Sequence, residues 1–261
     1  MSSAMSMKDQ SFEIGKILGG AFGLIGRKPL IVFGLALVFA AIPTRLFYYA
    51  VGAWAPSGGA SGAASFGWLL LTNAWSFVVQ TIVPGALIGT AVIVYEGGRP
   101  DLDIGLRPAL QRLAPLIGVS LLYAIGCLIG VATFFIPFLF LLVRWSIVAP
   151  VAVMEPVGVG EAFGRSSELT RGIRLKIFGL IIVTGLLESL AAAVVNLLSL
   201  VLGSALLFGQ DASLDPVAVT LRIVMETAIS GFSAAVYCML YIALRERMEG
   251  PMSDRLTEIF R

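Results

Sequence analysis

Histidine is absent from this chain of 261 residues. That absence removes the commonest general base and the commonest transition-metal ligand. Cysteine is nearly as scarce: Cys127 and Cys238 both sit inside apolar runs, where a thiol behaves as a small buried hydrophobe. No disulfide and no metal role is expected of them. Charge is sparse as well, 13% of residues against about 25% in a soluble domain. The N-terminal stretch MSSAMSMKDQSFEIGK carries Asp9 and Glu13 and lacks a basic region, an apolar core and a cleavage site. No removable signal peptide is expected, and the first apolar span serves as an uncleaved insertion signal.

What fills the chain instead is apolar surface: 58% hydrophobic residues and a mean hydropathy of +0.94. A soluble chain of this composition has too few polar residues to cover itself. A hydrocarbon core about 30 Å thick needs about 20 apolar residues per helix, so several crossings fit. Leu30 to Ala55, apolar except for Arg45, and Phe66 to Tyr95, without charge, read as the first two spans. The small-residue segment APSGGASGAAS joins them as a flexible turn. Pro84 with Gly85 is placed to kink the second.

Leu113 to Met154 holds a single charge, Arg144, and is about twice the length that one crossing needs. Arg99, Arg107 and Arg112 precede it, and Arg165, Arg171, Arg174 and Lys176 follow. Basic segments belong on the cytoplasmic side, so the run must turn back, near Thr133 to Pro137. Leu175 to Gly203 and Pro216 to Leu244 complete six spans, joined by SALLFGQDASLD. All 18 Lys and Arg except Arg45, Arg144 and Arg222 then fall on one side, while the opposite loops carry only Asp211 and Asp215. Both termini are therefore expected in the cytoplasm.

The chain also repeats itself. SFEIGKILGGAFGLIGRKPLIVFGL resembles GVGEAFGRSSELTRGIRLKIFGL, with Phe33-Gly34-Leu35 answering Phe178-Gly179-Leu180, and DLDIGLRPALQRLAPLIGVSLL is a looser third copy. Each is a short amphipathic stretch followed by a hairpin. Leu106, Ala109, Leu110 and Leu113 oppose Arg107 and Gln111; Val159, Ala162, Phe163 and Ser166 oppose Glu161, Arg165 and Glu168. These stretches read as helices lying in the cytoplasmic interface, apolar face in lipid, or as plain extensions of the spans. The expected architecture is all-α: a polytopic six-transmembrane-helix bundle with an interfacial amphipathic helix before each of three hairpins. It forms one membrane domain over 1–261, in units 12–95, 101–154 and 158–247, with a cytoplasmic tail 248–261.

Five ionisable residues fall within spans: Arg45, Arg144, Glu188, Arg222 and Glu226. Each costs about 2.5 to 3.5 kcal/mol at a helix centre, so partners are expected. Arg144 and Glu188 are both near mid-span and within reach of each other; Arg45 and Glu226 share a depth, and Arg222 is one turn from Glu226. Read functionally, the five line a polar cavity with one surplus positive charge, suited to an anionic headgroup held by bidentate arginine. Read structurally, they are ion pairs that fix helix register.

Gly15, Gly19 and Gly23, Gly85 and Gly89, and Gly126 and Gly130 recur every fourth residue, a spacing that favours close helix packing in lipid. Trp54, Trp68, Tyr48 and Tyr49 suit an outer aromatic belt. ILGGAFGLIG follows no strand and lacks the Lys-Ser/Thr ending of a phosphate loop, which argues against nucleotide binding. Ser166 and Ser167 have no base beside them for nucleophilic work. The basic stretches are explained by topology and anionic lipid rather than nucleic acid. No cofactor is expected.

The segment VRWSIVAPVAVMEPVGVGEAFGRSSELTRG places Arg144, Trp145, Pro150, Glu155, Ala162, Ser166, Leu169 and Gly172 in a pattern. The pattern resembles the membrane-domain family of glycerophosphoryl diester phosphodiesterase and related bacterial inner-membrane multipass proteins. YCMLYIALRER and the hairpin layout extend the likeness over most of the chain. The resemblance implies a six-helix domain in the bacterial inner membrane. It does not imply phosphodiesterase activity, which in that family belongs to a soluble barrel using histidines and metal-binding carboxylates. With no catalytic constellation in view, the expected role is a non-catalytic module that binds membrane lipid or another amphiphile, or an accessory subunit of a membrane protein complex. The rival is a small transporter using the Arg/Glu cluster as its polar path, with a membrane enzyme third.

Overall fold

The structure, a computed structural model, describes residues 13–51, 62–98, 102–133, 135–201 and 216–250. Every regular element among them is helical. In chain order these are α1 (Ile14–Arg27), α2 (Pro29–Ala36), a π-helical turn (Leu37–Ala41), α3 (Ile42–Val51) and α4 (Gly62–Tyr95). There follow α5 (Leu102–Gln111), α6 (Leu113–Thr133), α7 (Phe135–Arg144), α8 (Val148–Met154), α9 (Val159–Leu169), α10 (Arg174–Val201) and α11 (Pro216–Glu249). Six stretches are long and apolar enough to cross a bilayer: Pro29–Val51, Ser65–Tyr95, Leu113–Gly130, Pro137–Met154, Arg174–Val194 and Thr220–Glu249. Three times a short helix precedes two long apolar stretches, the order the sequence repeat implies. The loops around Trp54 and Asp211, and the ends before Glu13 and after Gly250, lie outside the described residues.

Local chemistry sets the breaks. Lys28 stands before Pro29, a position that disfavours helical backbone, and its φ of −142° and ψ of 58° separate α1 from the first span. The span then contains the π turn, just before Pro43. Pro43 has no N–H for the Phe39 carbonyl, and the wider turn absorbs the missing bond. By contrast α4 runs as one helix through Pro84, whose carbonyl accepts the Cys238 thiol at 3.4 Å. Between the third and fourth spans α6 ends at Thr133 and α7 begins at Phe135, at the expected turn. Gly130 lets the two close: a Cβ there would stand 3.0 Å from the Phe138 Cα.

The second span is central, with 78% of its apolar window buried, and the fifth is peripheral, with 17%. A single apolar core draws on every helix but α3 among the described residues, with Val32, Leu87, Val119, Ile147, Leu169 and Leu240 inside it. Basic segments gather at one end. Arg27 donates to the Val94 carbonyl at 3.4 Å, Tyr95 to Glu246 at 3.0 Å, and Arg112 to the Val157 carbonyl at 3.4 Å. The start of the first span thus meets the end of the second and sixth, and the start of the third meets the end of the fourth.

The short amphipathic helices lie against the bundle. On α9 the face expected in lipid is covered by protein: Ala162, Phe163, Ser166, Ser167 and Leu169 are all buried. Small side chains permit this, since Val159 lies so close to Gly118 that a Cβ on the glycine would stand 2.9 Å away. On α1 the stripe Ile17, Ala21 and Leu24 is buried while Phe22 stays exposed. On α5 Ala109 turns inward and Leu110 outward.

Candidate functional site

The fourth span is broken where its arginine stands. Helix α7 ends at Arg144, residues 145–147 form a turn, and α8 resumes at Val148. Such a break frees backbone groups that lipid cannot satisfy. Trp145 N–H donates to the Leu141 carbonyl at 2.9 Å and Val148 N–H to the Trp145 carbonyl at 3.1 Å. The Arg144 carbonyl accepts the Ser166 hydroxyl of α9 at 2.9 Å. Arg144 Nε in turn donates to Ser167 Oγ at 2.6 Å, and that hydroxyl donates onward to the Phe163 carbonyl at 2.7 Å. Trp145 lies over Gly126 and edge-on to Phe163, centroids 4.8 Å apart. From the first turn of α10, Arg174 donates to the Ser167 carbonyl at 3.4 Å and lies over the Phe140 ring at 5.1 Å.

Glu155, which ends α8, organises a second polar group at the basic end. It accepts Arg165 Nε at 2.8 Å and the Tyr241 hydroxyl at 3.4 Å. Arg165 also pairs with Glu249 and sits 3.8 Å from Glu168, while Arg245 holds Glu249 at 3.1 Å. Burial pulls the Arg165 pKa down, but the Glu155 hydrogen bond and the charges of Glu155 and Glu249 outweigh it, so the value stands above that of ordinary arginine. Gly172, between α9 and α10, has a φ of +84°, a conformation that suits glycine. Arg144, Trp145, Pro150, Glu155, Ala162, Ser166, Leu169 and Gly172 therefore act locally, wrapping α9 onto the broken span.

The five ionisable residues within the apolar stretches do not share one cavity. Arg45 and Glu226 do meet, Nη2 to Oε2 at 2.9 Å, beside Thr44 bonded to Trp75 at 3.0 Å and Trp75 stacked on Phe47. Arg222 stands one turn before Glu226 on α11, half-buried. Arg144 and Glu188 do not pair. The break carries Arg144 to α9, whereas Glu188 accepts the Ser233 hydroxyl of α11. Among the described residues Arg144 has no carboxylate partner.

Two hollows flank these groups. One, halfway along the spans, is lined by Gln80, Thr81, Pro84, Tyr123, Ser146 and Tyr237, among others, and has a volume of about 20 Å³. That is room for one water. The other, of about 380 Å³, lies at the basic end between α1, α4 and α11, lined by Lys16, Gly19, Gly23, Arg27, Tyr95 and Met239 among others. Its glycines revise the packing expectation. Among the described residues nothing would meet a Cβ at Gly15, Gly19 or Gly23, whereas Gly85, Gly126 and Gly130 touch neighbours closely. No group of three or more His, Cys, Asp or Glu fit to hold a metal occurs among the described residues.

Sequence reasoning named Glu155 as a motif position, Ser167 only as a rejected nucleophile and Arg174 only for topology; the bonds of Ser167 and Arg174 and the joining of Glu155 to Arg165 and Glu249 depend on where α9 folds. One local signal pointed there: Glu161 at the third helical position accepts the Gly158 N–H at 2.9 Å, a cap that starts α9. Comparison with family models, curated proteins and solved structures gives no match for this chain.

Proposed function

We propose that the chain is a non-catalytic integral membrane module of the bacterial inner membrane, with both termini cytoplasmic, that binds lipid or another amphiphile. The observation that carries this reading is the contrast between the two hollows. The mid-span one has room for a single water, too little for a solute path. The open one at the basic end spans about 380 Å³ between cationic Lys16 and Arg27, beside apolar Leu24, Val94 and Met239. That pairing of charge with apolar wall suits an anionic amphiphile at the cytoplasmic leaflet. The same reading extends to an accessory subunit that packs against a partner membrane protein. Purification in mild detergent followed by mass spectrometry is expected to recover enriched anionic lipid or a partner membrane protein. Recovery of bulk lipid alone would refute the proposal.

A transporter is the second reading, favoured by one feature: a broken helix facing a proline-bearing helix across a polar hollow, as in transporter sites. On that reading cysteines placed along the fourth and fifth spans react from both sides of the membrane. Protection at every position would count against a path.

A further inference from the structure

We infer that Arg144 and Arg174 form a clamp for the phosphate of an anionic membrane lipid whose chains lie along α10. This rests on the reading of the protein as an amphiphile-binding module and adds a second place for the same headgroup chemistry, apart from the hollow between α1, α4 and α11. Two guanidiniums converge on one residue: Arg144 Nε reaches the Ser167 hydroxyl at 2.6 Å and Arg174 Nη2 the Ser167 carbonyl at 3.4 Å. Neither has a carboxylate partner among the described residues. The carboxylates of the neighbourhood are engaged elsewhere, Glu155, Glu168 and Glu249 with Arg165 and Glu188 with Ser233. Arg174 Nε is moreover buried without a hydrogen-bond partner. An uncompensated pair of cations beside apolar helix faces is unfavourable, and a phosphate satisfies both with bidentate hydrogen bonds.

The surroundings suit a lipid rather than a free anion. Phe140 and Leu175, beside the two arginines, are 46% and 83% exposed. From Leu175 the stripe Ile182, Leu186 and Leu190 continues outward along α10, the least covered of the six spans. Headgroup charge and acyl chain thus find their complements in line, at the end of the bundle where basic residues gather. A second copy of the chain or a partner protein would cover the apolar stripe but would have to bring its own buried anion.

The test uses the full chain in bilayers of phosphatidylcholine with and without phosphatidylglycerol. Native mass spectrometry of the released protein is expected to show phosphatidylglycerol retained at least about tenfold over phosphatidylcholine, the factor expected for one or more charge-assisted bonds. Arg144→Gln with Arg174→Gln should lower that preference severalfold, leaving what the Lys16 and Arg27 hollow supplies, and the double Arg→Lys variant should lower it less. A second measurement needs neither arginine changed: Leu175→Trp, at an exposed position, should be quenched more by brominated phosphatidylglycerol than by brominated phosphatidylcholine. Equal quenching by the two lipids would overturn the clamp, as would a Trp shielded from both and cross-linked to a second copy or another protein. An unchanged preference in the glutamine variant overturns the clamp and leaves lipid binding standing. No enrichment of either lipid on the native protein removes the broader reading as well.

Discussion

Arg144 shows how the cost of one charge in an apolar span is met. Its side chain bonds Ser167, its carbonyl accepts Ser166, and both hydroxyls come from a helix outside the span. Ser167→Ala is expected to cost about 1 to 3 kcal/mol, because it leaves a partly buried guanidinium nitrogen without its acceptor. Ser166→Ala removes a neutral bond and should cost about 1 kcal/mol. Thermal unfolding in detergent ranks the two, and the reverse order would show that the carbonyl at the break matters more than the charge. Arg45 and Glu226 meet their costs in another way, by pairing at 2.9 Å while 29% and 20% exposed. Removing either should cost about 1 to 3 kcal/mol, between the values for surface and buried pairs. A double-mutant cycle with both changed to alanine measures the coupling; a coupling near zero would mean that solvent screens the pair.

At the scale of elements, glycine does two different jobs in this chain. Gly130 sits where α6 turns into α7, and a Cβ there would stand 3.0 Å from backbone at Phe138, which cannot swing aside. Gly130→Ala should therefore destabilise the hairpin by about 1 to 3 kcal/mol. Gly19 faces open space among the described residues, so Gly19→Ala should be neutral or stabilise α1 by up to about 1 kcal/mol through helix propensity. The sequence presents both glycines at the same four-residue spacing. Comparing the two unfolding midpoints separates the roles: equal loss at both sites would show that α1 is packed after all. The breaks at Lys28–Pro29 and at the π turn before Pro43 follow from proline chemistry and were legible in principle. The break after Arg144 had a signal of the same kind, since Pro150 has no N–H for the Ser146 carbonyl and falls in the first turn of α8; what the sequence did not show is that the hydroxyls bonding Arg144 come from α9.

At the scale of the whole molecule, α10 joins the core only through its first turns, where Ile177 and Leu180 are buried, and is the least covered of the six apolar stretches. A fifth span so little covered, carrying Glu188 inward to Ser233, is the part of the bundle on which lipid or a partner has most surface to act. Cys127 and Cys238, both fully buried, should resist maleimide in the intact protein and react only on unfolding. Labelling of Cys127 under native conditions would mean that the bundle opens around α6, and labelling of Cys238 that it opens around α11. On the proposed topology, which puts the lysine- and arginine-bearing segments in the cytoplasm, reporter tags at the two termini are expected to report from that side together; tags reporting from opposite compartments would overturn it.

Composition and the placement of charge anticipated the helical character of the described residues and the six helices long and apolar enough to cross a bilayer, because apolar runs of this length leave the backbone no other way to satisfy itself in hydrocarbon. Likewise the hairpin order was readable from charge and repeat, and the contact of Arg45 with Glu226 from depth along the spans. Tertiary structure decided what depth cannot: that Arg144 turns to α9 instead of Glu188, and that the amphipathic face of α9 packs on protein. Helix periodicity fixes which residues share a face, but what covers that face depends on which small residues, here Gly118, Ala162 and Ser166, let another helix come close.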